Sequence, residues 1–147
     1  MNPPMDVTDA SWVYHTRLTD ETVNVGKWML FWPNTLLNAK WQAICRAWDE
    51  GQLLGVFGMK CSTARPNPRS SNPHEGVIIM YCNNSEDEEH IMDIGKRISL
   101  HLHDYPREYI YYKTDEQTHV GTAATGAINN STYRLDLERS SGPLFRK

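Results

Sequence analysis

The chain has 147 residues, 39% of them hydrophobic, with five tryptophans and a formal net charge of −3. That much apolar material builds the core of one domain and excludes a disordered tail. The mild acidity excludes recruitment of nucleic acid by a global positive field, so any polyanion must meet a local patch.

Three cysteines, Cys45, Cys61 and Cys82, lack C-x-x-C spacing. They read as buried, reduced thiols rather than a disulfide frame or a zinc knuckle. The opening "MNPPMDVTDAS" carries neither a basic region nor an apolar stretch of the secretory type. The longest apolar runs fall short of a membrane span. A protein of the cytoplasm or nucleus, with no membrane partner, is the expectation.

In chain order, residues 1–10 contain two prolines without periodicity and are expected to form a flexible leader. "SWVYHTR" (11–17) and "GKWMLFWP" (26–33) read as strands, rich in aromatic and β-branched residues. In "NTLLNAKWQAICRAWDEG" (34–51) the period changes. Leu37, Trp41, Ile44 and Trp48 fall on one helical face, with Asn34 expected to cap the start and Gly51 to follow the end. "LLGVFGMKCST" (53–63) returns to strand, and the loop 64–76 carries three prolines. "VIIMYC" (77–82) is an apolar strand suited to a central position. The stretch 83–105 predicts a second helix, with Ser85 and Glu88 as a capping box and Ile91, Ile94 and Ile98 as its buried stripe. "YIYYKT" opens the next strand, the small-residue loop 121–131 follows, and "TYRLDLE" (132–138) is the last strand. Residues 139–147 read as a frayed tail. The predicted fold is α+β: one domain over 11–138, a curved, mostly antiparallel sheet with both helices on one face.

The face left open is where function is expected. Alternation along 53–63 puts Phe57, Met59 and Cys61 on one side and Gly58, Lys60 and Ser62 on the other. Along 109–115 it separates Ile110 and Tyr112 from Tyr109, Tyr111, Lys113 and Asp115. If the apolar sets face the helices, Lys60 and Lys113 point into the open concavity. The stretch 60–69 adds Arg65 and Arg69 without an acid. Lys60, Arg65 and Lys113 would hold phosphate; Ser62, Thr63, Asn67 and Thr118 would supply turns and neutral hydrogen bonds; Trp12 or Tyr111 would stack on a base. The competing reading makes Lys60 and Lys113 ordinary solvated strand residues.

Other groupings carry less. His101 and His103 lie two apart and do not share a helical face, and no ligand set of zinc spacing completes them. Asp115 and His119 could orient one another, and Cys61 could act as a nucleophile beside Lys60, but no nucleophile elbow or phosphate-binding glycine loop accompanies them. Trp28, Trp41 and Trp48 follow the buried faces and read as core. No catalytic residue, metal or cofactor is assigned.

The succession "GKWMLF", "WQAICRAW", "GVFGMKCSTA", "EGVIIMYCNNSEDEEHIMDIGKRI" and "YIYYKTDEQTHVG" resembles the mRNA cap-binding translation initiation factor 4E. "KCSTARPNP" (60–68) and "YYKTDEQTHVG" (111–121) resemble a divergent branch of that fold, the basophilic leukaemia expressed protein family. The likeness covers about residues 11–137. It implies helices on the convex side of the sheet and a ligand cleft on the concave side. In the cap-binding factor, two tryptophans sandwich a methylated guanine beside an acid, and basic residues hold the phosphates. Trp12 lies where one such tryptophan is expected, followed by Val13 rather than an acid. Non-catalytic binding of a nucleotide, or of capped or terminal RNA, is the function so implied. The alternatives are a phosphoester-cleaving enzyme using Lys113, Asp115 and His119, a nucleotide-sequestering protein, and a protein-interaction module on the helical face.

Overall fold

The computed structural model describes residues 3–16, 25–66, 73–114 and 132–137. Six strands, β1 (Trp12–Thr16), β2 (Gly26–Pro33), β3 (Val56–Ser62), β4 (Glu75–Cys82), β5 (Tyr109–Thr114) and β6 (Tyr133–Asp136), form one sheet in the order β1-β3-β4-β2-β5-β6. All five pairings are antiparallel. Two helices, α1 (Asn34–Asp49) and α2 (Glu88–Ser99), interrupt the strands in the sequence positions expected.

Both helices cover the same side of the sheet because one set of alternating side chains is apolar throughout. Trp28, Leu30 and Trp32 of β2, Ile78 and Met80 of β4, and Ile110 and Tyr112 of β5 are almost completely buried. Leu37, Trp41, Ile44 and Trp48 of α1 and Ile91, Ile94 and Ile98 of α2 meet them from above. The 3.6-residue spacing therefore delivered the stripes it predicts. α2 approaches so closely that a Cβ on Gly95 would lie 2.6 Å from the Trp28 ring, which is why the stripe has a glycine inside it.

The helix ends differ from expectation. Asn34 does not cap α1: Pro33 holds the N-cap position, and the Asn34 side-chain amide donates to the Pro73 carbonyl at 3.0 Å. The Asn34 backbone N–H donates to His74. Asn34 is thus spent on tying the helix start to the residues before β4. Ser85 and Glu88 form no capping box either. The chain turns at Asn84, whose φ is 62°, and the helix begins later, with the Asp87 carboxylate accepting from the His90 N–H. Ser85 is buried, and its carbonyl accepts from the Tyr133 hydroxyl at 2.8 Å. At the end of α1 the glycine reading holds: Gly51 takes φ 78° and donates to Trp48.

Residues 3–10, expected as a flexible leader, are tied to the domain along their length. A single 3-10 turn at Pro4–Asp6 buries Pro4. The Met5 N–H donates to the Asn38 side chain, and the Ala64 N–H donates to Pro4 and Val7 carbonyls. The reason is polar pairing, since these backbone groups find partners on α1 and just past β3. The expected tail at 139–147 and the loop at 121–131 lie outside the described residues. Among the described residues no helix is long and apolar enough to cross a membrane.

All three thiols lie in the core, at 5% exposure or less. Burial pushes the Cys45 and Cys82 thiols up to about 12, Asp49 adding to the effect at Cys45, and burial also raises Cys61. The thiolate is the reactive species, so a thiol reagent at pH 8 should label none of the three in the native protein and all three in 6 M guanidinium. Rapid labelling of any one without denaturant would contradict this packing.

Candidate functional site

Residues directly opposite one another in an antiparallel pair share a face, so the register maps the open side of the sheet. One row crosses all six strands: Tyr14, Lys60, Ile79, Met29, Tyr111, Arg134. The neighbouring row contains Gly58, Tyr81, Lys27 and Lys113. Lys60 and Lys113 do point to the same open face, as alternation implies.

Around Lys60 the face is aromatic. Its Nζ sits 4.1 Å from the centroid of the Trp12 ring and 5.8 Å from that of Tyr81. Each such contact is worth roughly 0.5–1 kcal/mol at a partly exposed site. Phe57 joins this group rather than the helix-facing set. A β-bulge between Val56 and Gly58 interrupts the alternation, and the Phe57 ring lies 6.0 Å from Tyr81. The extra residue leaves Val56 as the buried side chain in its place, which corrects the expectation for Phe57.

Lys113 has a different neighbour from the one expected. It lies directly across from Lys27, and both are buried, at 8% exposure. Burial lowers the Lys113 pKa below the ordinary lysine value. Lys60 is three strand spacings away, roughly 14 Å between backbones. The two lysines thus line one face without converging on one point. They suit two phosphates of an extended ligand, not a single one.

The remaining predicted residues are largely engaged with the fold. The Ser62 Oγ accepts from the Val77 N–H at 2.9 Å, leaving its own proton free to donate. Thr63 is buried; its hydroxyl donates to the Ala10 carbonyl and accepts from the Arg65 N–H. Its donor is therefore consumed in holding residues 3–10. Arg65 is exposed, with Nη1 donating to the Asp9 carbonyl at 3.3 Å. Tyr111 is half-buried and lies 6.3 Å from Tyr109, away from Trp12. Asn67, Arg69, Asp115, Thr118 and His119 lie outside the described residues. Cys61 is fully buried on the helix-facing side, which removes it from Lys60 as a nucleophile. Burial, then His103, lowers His101, and no three metal-ligating side chains converge among the described residues.

Lys27, Tyr81 and Arg134 escaped the sequence reading. Alternation held a usable sign for two of them. Trp28, Leu30 and Trp32 claim one side of β2, which sends Lys27 to the other. Tyr133 and Leu135 do the same for Arg134. Nothing local announces that Tyr81 neighbours Lys60, because that contact depends on which strands pair.

With this geometry in place, comparison with known proteins becomes informative. By sequence, no curated protein matches the chain significantly. By structure, it is similar to a schistosome eIF4E complexed with m7GpppA and 4E-BP, with a TM-score of 0.56 at 18% identity, covering 76% of this chain and 59% of that one. Similar too is Caenorhabditis elegans eIF4E-3 with the 4E-binding protein Mextli and a cap analog, with a TM-score of 0.60 at 14% identity, covering 84% and 68%. Ascaris suum eIF4E-3 with the m2,2,7G cap gives a TM-score of 0.51 at 16% identity, covering 63% and 51%. The chain spans about three fifths of the length of the schistosome protein. At these identities the likeness establishes the fold: a curved, open antiparallel sheet with helices on its convex side. The profile of the family "Basophilic leukemia-expressed protein Bles03" matches residues 16–121. The chain belongs to the Bles03 family and carries it on an eIF4E-like fold.

Proposed function

We propose that the open face binds a nucleotide or the end of a nucleic acid without turning it over. The observation that carries this reading is Lys60 lodged against the Trp12 face, beside Tyr81, on a surface that also holds Lys27 and Lys113. Trp12 supplies a planar face for a base, and Lys60 supplies a point charge for the adjoining phosphate. Lys27 and Lys113 offer a second cationic point farther across the same face. Ser62 adds one hydroxyl donor. Three of the structurally similar proteins are complexes with m7GpppA, a cap analog and an m2,2,7G cap, which supports nucleotide binding in general.

The test is a thermal-shift and titration series with mononucleotides, cap analogues and cyclic dinucleotides at two salt concentrations. A ligand bound only by the native state raises the melting midpoint, and a phosphate contact weakens with salt. Lys60→Ala should weaken binding about tenfold, the loss of one charge-assisted contact, while the free protein melts within ~2 °C of the parent. A flat screen would defeat the reading.

A protein-interaction surface is the second reading, favoured by Leu36, Leu54 and Leu100. These are 45%, 64% and 50% exposed and belong to α1, the α1–β3 turn and the end of α2. It predicts capture of a partner that is indifferent to Lys60→Ala. The phosphoester-cleaving alternative rests on Asp115 and His119, outside the described residues.

A further inference from the structure

We infer that β5 and β6 carry a second contact for the same ligand, so that the open face takes single-stranded nucleic acid several nucleotides long rather than a lone nucleotide. The inference rests on the nucleotide reading above and extends it.

Arg134 is exposed and sits with its guanidinium carbon 4.5 Å from the centroid of the Tyr109 ring. Tyr111, directly opposite Arg134, lies 6.3 Å from Tyr109. This repeats, at the far side of the sheet, the pairing of a cation with aromatic faces seen at Lys60 and Trp12. Both clusters are on one face, since Lys60 and Arg134 belong to the same cross-strand row. They are four strand spacings apart, roughly 19 Å, which no single nucleotide spans. Between them the row presents Ile79 and Met29, an apolar floor without an acid.

Cations outnumber acids on the face: Lys27, Lys60, Lys113 and Arg134 stand against Asp136, opposite Tyr109, and Glu75, which is engaged with Arg107 at 2.6 Å. Aromatic faces at both ends favour a ligand with planar bases over an acidic peptide, which would use the cations alone. An antiparallel sheet whose aromatic side chains stack two or three bases is an established way to hold single-stranded RNA. With an overall charge of −3, affinity must come from this face and must fall steeply with salt.

The experiment measures fluorescence anisotropy of labelled oligouridylates of two, four and eight nucleotides, beside thermal shifts with uridine nucleotides. The octamer should bind at least tenfold more tightly than the mononucleotide. Arg134→Ala combined with Tyr109→Leu should erase that advantage and leave the mononucleotide shift in place. Arg134→Glu alone, at an exposed position, guards against misfolding of the double variant and should weaken the octamer further. Mononucleotide binding without any gain for the octamer, or variants that bind the octamer as the parent does, would overturn this inference alone. Equal displacement of the octamer by polyglutamate would overturn the assignment to nucleic acid. If neither mononucleotide nor octamer binds, the proposed function falls with it.

Discussion

Trp28→Ala should lower the stability of the domain by about 3–5 kcal/mol, read as a shift in the midpoint of urea unfolding with little change in slope. Against a total of roughly 5–15 kcal/mol, that is enough to bring the protein near the edge of folding. Trp28 has no solvent exposure, stacks edge-on against Tyr112 at 5.5 Å, and lies directly beneath Gly95 of α2. Removing it leaves a void between the central strand and the helix that a close-packed interior cannot collapse to fill. A conservative variant separates size from polarity. The Trp28 Nε1 is buried without a hydrogen-bond partner among the described residues, and an unpaired buried N–H costs about 1–3 kcal/mol. Trp28→Phe loses ring area but sheds that penalty, so it should cost clearly less than Trp28→Ala. Equal losses in the two variants would show that the indole N–H is satisfied in solution and that this part of the core is differently arranged.

Lys113→Met should do the opposite to stability while damaging function: a rise of about 2 °C in melting temperature, together with a loss of salt-sensitive nucleotide affinity of about tenfold. Burial makes Lys113 costly to the fold, because it disfavours the charged form of a side chain left only 8% exposed. The pH dependence follows from the lowered pKa. Between the folded value and the unfolded one near 10.5, the unfolded chain binds more protons, so stability rises with pH across that window. At neutral pH the penalty is fully present. The gain from Lys113→Met should therefore be largest there and shrink as pH approaches 10.5. Melting curves of both proteins from pH 7 to 10.5 measure it. A variant that melts lower at neutral pH would mean that Lys113 makes a stabilising contact that outweighs its burial.

Local pattern determined much of this protein. The change from period two to period 3.6 and back set the order of six strands and two helices, and the apolar sets named Leu37, Trp41, Ile44 and Trp48 and the three isoleucines of α2 as core. Alternation also sent Lys60 and Lys113 to the uncovered face. These are short-range properties, carried by the spacing of residues within one element. The tertiary structure decided the rest. Strand order put β4 and β2 between Lys60 and Lys113, so the two lysines lie roughly 14 Å apart rather than together. Register set Lys27 against Lys113, brought Tyr81 beside Lys60 and placed Arg134 on the row of Lys60. One extra residue at the bulge moved Phe57 from core to site. Asn34 and Ser85 left their expected caps because distant partners, Pro73 and Tyr133, claimed them. Pairing between strands far apart in the chain is settled by the collective burial of one face, and no window of local sequence contains that information.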